Sequence, residues 1–387
     1  MEPEMQAPPP EAPDEASAAL RPELAGTPAG AMEYRGLRWM FIGKQGLRAG
    51  WSVFLFIVLT FLFMMALSAT VGALSGHGRQ GSTVSLSPIA ALVMEAISVL
   101  SILGAGTVVA LIERRRVLDY NLIGPRRCAH FLGGLAAGFL ALSALVGALA
   151  WGGWLHFGPV ALSGTQILGS GAVWGAAFLF TGLFEEGSFR CYLQFTLTRG
   201  INFWWAMGIV AAFCVAVALR DKGNGAWGIY VMALLGVVPC LILHLKRTQG
   251  SGFWQAAWVT STFFGFLHTG NAGENWIGIA AAGAIGFVFC VSVWVTGSAW
   301  WAIGCHAAWD WAETFFYGTA NSGLVPKGHF LTTAPAGSAF WSGGTDGPEG
   351  SVLVFAVILL LLAALIAIYG RRRPVTVAGA ATELTAE

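Results

Sequence analysis

Three short stretches of this chain set charged and imidazole side chains inside strongly apolar sequence. TGLFEEGSFRCYLQ (181–194) carries Glu185, Glu186 and Arg190, STFFGFLHTGN (261–271) carries His268, and WWAIGCHAAWDWAETFF (300–316) carries His306 and Asp310. On a helix Glu186 and Arg190 lie four apart on one face, with the acid N-terminal to the base, an arrangement that lets them pair and offset their burial. Glu185 is then turned away by about 100° and has no local partner, which suits a general base. Phe264 and His268 share a face in the same way, as do His306 and Asp310; a carboxylate at that spacing can fix an imidazole tautomer or share a bound water or metal with it. Each group alone also suits a structural role, as a tethering ion pair, a hydrogen-bonded core histidine or a side-chain pair inside a bundle. Together they supply three acids, a base and two imidazoles on separate segments, an inventory that can activate water.

The segments that must position these residues belong to a membrane. Of 387 residues, 56% are hydrophobic and only 11% charged, well below the roughly 25% of a soluble domain. An ionised side chain at the bilayer centre costs at least about 2.5 kcal/mol, so such residues face the protein interior, pair with one another and mark function. A net charge of +1 with basic residues in short clusters gives no reason to expect nucleic acid as a partner. The six cysteines lie far apart with no C-x-x-C pair and read as packing residues.

About 20 apolar residues span a bilayer as a helix, and candidates fall near 51–74, 88–112, 130–155, 170–197, 203–219, 227–245, 253–268, 276–297, 300–317 and 351–369. The expected fold is therefore an all-α polytopic transmembrane bundle of about eight to ten spanning helices. Basic clusters precede the first segment and recur at Arg114–Arg116 with Arg126 and Arg127, at Lys246 with Arg247, and at Arg371–Arg373. By the positive-inside rule these are cytoplasmic, as then are both termini. Residues 1–33, rich in Pro, Ala and acid, read as a disordered N-terminal tail, 34–370 as the transmembrane domain, and 371–387 as a disordered cytoplasmic tail. Gly318 to Gly350, rich in Gly, Ser, Thr and Pro, reads as an extramembrane loop.

The ordered motifs E-E-x-x-x-R, F-x-x-x-H and H-x-x-x-N/D resemble those of the CPBP family, the CAAX-protease and bacteriocin-processing (Abi) membrane proteins related to the Rce1-type prenyl-protein endopeptidases. The surrounding sequence is similar too: FRCYLQ has Cys191 where the family usually has Gly, and WWAIGCHAAWDW has Asp310 where Asn is common. The resemblance covers roughly residues 112–317. It implies an intramembrane endopeptidase in which Glu185 is the general base, assisted by His268, while Glu186 holds Arg190. His306 and Asp310 would polarise the scissile carbonyl or stabilise its oxyanion; an aspartate there must be protonated to donate as an asparagine does, or else it orients His306. No cofactor is expected, although two histidines with carboxylates would also suit zinc.

The resulting expectation is a multi-pass integral membrane endopeptidase of the bacterial inner membrane, acting near the cytoplasmic leaflet on a peptide or protein substrate that is itself membrane-associated. Its rivals are a catalytically inactive bacteriocin-immunity or scaffold protein of the same fold and a proton-coupled transporter. The inverted repeats common in transporters are not evident.

Overall fold

The computed structural model describes residues 38–43, 46–75, 87–200, 203–221, 237–246, 250–271, 273–324 and 326–370. The chain forms two compact units, Met1–Gly46 and Leu47–Glu387; of the first, a one-turn helix Arg38–Phe41 is described. The two tails expected at 1–33 and 371–387 lie outside the described residues. The second unit is helical: α1 (Ala49–Ser75), α2 (Pro88–Ile112), α3 (Arg127–Trp151), α4 (Thr165–Glu186), α5 (Phe203–Asp221), α6 (Val237–Lys246), α7 (Ser251–His268), α8 (Trp276–Thr296), α9 (Trp300–Trp311) and α10 (Val354–Tyr369). The all-α polytopic bundle is borne out. Among the described residues, five helices are long and apolar enough to cross a membrane: α1, α2, α3, α8 and the continuous run Thr165–Thr198. Shorter apolar helices include Phe203–Ala212, Val237–Lys246 and Val354–Tyr369.

Local chemistry sets the helix ends. Ser87 accepts a hydrogen bond from the amide of Ala90 while Pro88 occupies the first turn of α2, where its missing N–H costs nothing. Asn275 caps α8 by accepting from the amides of Ile277 and Gly278, and Gly297 ends it with φ at 77°, the left-handed conformation a C-terminal glycine adopts freely. Two helices depart from α geometry beside the motif residues. α4 runs into a π-helical stretch, Gly187–Leu193, before a last α-helical turn, and α9 runs into another, Ala312–Phe316. Such π segments are rare and concentrate at functional sites.

Lipid tails are as apolar as leucine, so packing and polar contacts, rather than exclusion of water, hold spanning helices together. The α3–α9 crossing uses small residues for this. A Cβ on Gly134 or Gly138 would lie 2.2 Å from the Trp301 carbonyl oxygen or 2.0 Å from that of Cys305, and one on Gly304 would lie 2.3 Å from the Phe131 oxygen. The backbones therefore meet directly, in a small-xxx-small contact that fixes the rotation of α9 and so the aim of His306 and Asp310. Leu142, Leu145 and Leu149 of α3 pack with Trp301 and with Ile358, Leu361 and Leu365 of α10, whereas Phe56, Val109, Tyr192, Phe195 and Phe253 belong to a second core cluster. Cys191, Cys290 and Cys305 are buried.

The Gly318 to Gly350 segment is more ordered than a solvated loop. Thr333–Pro335 pairs antiparallel with Leu155–Phe157, the amide of Phe330 donates to the Phe315 carbonyl at 2.7 Å, and Trp174 Nε1 donates to the Lys327 carbonyl at 3.2 Å. These bonds bind it as a strap across the ends of α4 and α9.

Candidate active site

The site is assembled around Arg190. Its guanidinium is fully buried, and its Nε lies 3.1 Å from Glu186 Oε2, itself fully buried. The remaining guanidinium surface faces aromatic rings: Cζ is 4.5 Å from the Phe264 centroid, 5.3 Å from Phe289 and 5.6 Å from Phe189. Ring faces attract a desolvated cation, which accounts for Nη1 and Nη2 being buried without hydrogen bonds. Room for them comes from Gly286, where a Cβ would lie 2.6 Å from Nη2. The Phe of F-x-x-x-H thus has a physical task, as one wall of the arginine cage.

Glu186 carries a second load. Its Oε1 lies 2.8 Å from His306 Nδ1, so one carboxylate joins the α4 arginine to the α9 histidine. His306 Nε2 then faces Glu185 Oε2 at 3.7 Å and Asp310 Oδ2 at 3.5 Å, too long for hydrogen bonds but close enough for the two carboxylates to balance an imidazolium. The orienting partner of His306 is accordingly Glu186, not Asp310. His268 is held by its own helix: Nδ1 donates to the Phe264 carbonyl at 2.8 Å, which leaves Nε2 as the group available for other contacts.

Glu185 differs from its neighbour. Its side chain is 27% exposed, and its Oε2 has no hydrogen-bond partner. Glu185, His268, His306 and Asp310 line one cavity of about 320 Å³, at the small end of the usual range for ligand sites. All six sequence-predicted residues therefore converge: four on the cavity, with Glu186 and Arg190 directly behind it. Sequence reasoning missed Glu95 of α2 and Glu349 of the strap, which line the same cavity. Glu95 had a signal, a single acid inside an apolar 25-residue helix; Glu349 had none, because only the fold of the strap brings it in. Also missed was Glu313, fully buried one turn beyond Asp310 with neither oxygen hydrogen-bonded.

For a metal, the group of three ligand atoms close enough among the described residues is Asp310, Glu313 and Glu349, all within 4.8 Å of one another. His268, His306 and Glu185 do not belong to it.

Residues 240–312 match the family model described as type II CAAX prenyl endopeptidase Rce1-like. The matched stretch holds His268, His306 and Asp310 and leaves out the Glu185, Glu186 and Arg190 motif. It bears out the resemblance to the CPBP and Rce1-type family and points to a membrane CAAX-protease type of function. Neither the curated proteins nor the solved structures compared with the chain give a match.

Proposed function

We propose that this chain is a membrane-embedded endopeptidase that hydrolyses a peptide or protein substrate at the Glu185 and His268 site. The observation that carries the reading is the contrast within one dipeptide: Glu186 is fully buried between Arg190 at 3.1 Å and His306 at 2.8 Å, while Glu185 lines the cavity, 27% exposed, with His306 no nearer than 3.7 Å. Glu185 takes a proton from a water held between it and His268 Nε2. The water oxygen bonds to the scissile carbonyl carbon, and the developing oxyanion meets His306 Nε2–H, whose positive charge the surrounding carboxylates balance. Glu185 then returns the proton to the leaving nitrogen as the C–N bond breaks, which gives a free acid and a free amine. Preorganised donors of this kind act strongly in a site closed to bulk water. This chemistry uses no metal at the Glu185 and His268 pair.

The face from which substrate arrives follows from where the cavity lies along the helices. It is lined by Ala91 and Glu95 near the start of α2, by the end of α7 and by the start of α10. The basic clusters sit at the opposite ends, at Arg114–Arg116 after α2, Arg199 after α4 and Lys246 at the end of α6, with Lys327 of the strap on the cavity side. With those clusters cytoplasmic, the cavity opens on the non-cytoplasmic side of a bacterial inner membrane, in place of the cytoplasmic-leaflet expectation, and both termini remain cytoplasmic. The test is cleavage of a peptide library by purified protein in vesicles, with Glu185→Gln as control. Turnover that Glu185→Gln abolishes supports the reading; turnover unchanged in that variant, or absent from wild type across the library, removes it.

A further inference from the structure

Beside Asp310, which faces His306 Nε2 at 3.5 Å, stand acids that the hydrolysis does not use. Asp310, Glu313 and Glu349 place one carboxylate oxygen each within 4.8 Å of the others, and Glu313 is fully buried with both oxygens lacking any hydrogen-bond partner. Glu349 accepts one bond, from Trp309 Nε1 at 2.7 Å, and keeps its other oxygen. Two more acids stand close by: Glu274, with Oε1 unpartnered, and Asp346, which takes the Asn275 amide on Oδ2 and leaves Oδ1 without a partner. No lysine or arginine pairs with any of these five among the described residues. A buried carboxylate without a compensating charge or bond is strongly disfavoured, and the bundle solved this problem elsewhere, at Glu186, with an arginine.

We propose that Asp310, Glu313 and Glu349 form a binding site for a hard divalent cation of the calcium or manganese class. The donor chemistry selects that class: three carboxylates with no imidazole or thiolate suit hard cations that prefer oxygen. The spacing is compatible: an ion about 2.4 Å from each oxygen bridges a pair up to about 4.8 Å apart and three equidistant oxygens about 4.2 Å apart, and the three carboxylates keep within 4.8 Å of one another. Two ligands come from the α9 end and one from the strap, so the ion would pin the strap over the cavity and leave Glu185 and His268 outside the coordination sphere. The cation is a structural clamp beside the water-activating pair, and its binding does not depend on the protease reading.

The test uses the full-length protein in lipid nanodiscs, stripped with EDTA and dialysed. Calcium, manganese, magnesium and zinc are then added singly, and bound metal is counted by mass spectrometry alongside thermal melting. One equivalent of calcium or manganese bound by wild type, with a higher melting temperature and an affinity at least tenfold weaker in both Glu313→Gln and Glu349→Gln, is the expected result. Glu274→Gln serves as an acid-removal control that leaves the affinity within a few-fold of wild type. Wild type that binds no calcium or manganese at millimolar concentration overturns the proposal whether or not the variants fold. Undiminished binding by a folded Glu313→Gln, Glu349→Gln double variant, or binding of zinc alone, also overturns it.

Discussion

Two buried carboxylate sites in this bundle are built in opposite ways. At the end of α2, Glu113 takes Ser52 Oγ and Tyr120 OH, at 3.3 Å for the latter, and both its oxygens lie 3.3 Å from Arg199 Nη2, with Arg115 Nε at 3.5 Å. Tyr192 completes the network by donating to the Ser52 carbonyl at 3.0 Å. α1, α2 and the end of the α4 run are tied together there, and every lone pair has a use. Around the cavity the count runs the other way. Glu185, Glu313 and Asp346 all retain buried oxygens without partners. A carboxylate whose acceptors are filled by the fold holds helices; one whose acceptors are left over is available to water, substrate or an ion. Glu186 and Glu185, adjacent in sequence, differ in their ion pairs: Oε2 of each lacks a hydrogen bond, but Glu186 has Arg190 at 3.1 Å and His306 at 2.8 Å, whereas Glu185 meets His306 at 3.7 Å.

The sharpest way to break that comparison is to neutralise one member of each kind. Glu185→Gln keeps size and shape and removes a base, so cleavage falls by roughly 10² to 10⁴, while folded yield and melting temperature stay as in wild type. Equal loss of yield and turnover would place Glu185 with the structural acids. Glu186→Ala separates from it in the other direction. It leaves Arg190 buried without its counter-ion, at a cost of about 3 to 5 kcal/mol, and it also frees His306 Nδ1. Folded yield should drop steeply, and the fraction that folds should have lost most turnover; a folded variant with normal turnover would show that the Glu186 contact to His306 does nothing for the reaction.

How far these roles were legible in the sequence depends on the range of the contact. Glu186 with Arg190 is one helical turn, so spacing alone gave it, and the apolar runs gave the bundle. The second contact of Glu186, to His306 Nδ1, joins α4 to α9 across 120 residues, and spacing within one helix pointed to Asp310 instead. The π-helical turns, which leave no period in the sequence, were equally hidden. Phe264 was visible only as a motif letter; that its ring faces the Arg190 guanidinium is a product of the α7 packing and of the space at Gly286. Glu349 illustrates the limit, since a strap of Gly, Ser, Thr and Pro has no periodicity from which an inward acid can be read.

At the saturated site, Glu113→Gln removes the charge opposite Arg199, whose side chain is only 8% exposed. Because neighbouring Ser52 and Tyr120 can still bond the amide, the loss should be smaller than for Glu186→Ala, at about 1.5 to 3 kcal/mol for hydrogen bonds to a charged group. Turnover per folded molecule should match wild type, read as kcat after normalising to the folded fraction. A drop in kcat larger than twofold would mean that the clamp and the cavity are coupled.

The smallest effect belongs to a carboxylate that is satisfied yet exposed. Asp119, in the turn between α2 and α3, accepts the Arg116 amide on Oδ2 at 3.0 Å and the Arg116 guanidinium on Oδ1 at 3.0 and 3.2 Å. The backbone bond first, and then the side-chain bond and charge of Arg116, hold its carboxyl below the usual aspartate value of 3.8. A group depressed on folding adds stability that is fully present above its unfolded pKa and is lost as pH falls through the folded one. Wild type should therefore lose a little stability as the pH drops below about 4, and Asp119→Asn should lose none of that part. The arginine is 76% exposed, so screening by water and salt keeps the difference within about 0.2 to 1 kcal/mol. Acid melts of the two proteins at low and high salt measure it: the gap should be seen near neutral pH, close on acidification and shrink in salt. A gap that persisted at high salt, or that matched the cost of Glu113→Gln, would show that saturation alone sets the worth of a carboxylate here, and that burial adds nothing to it.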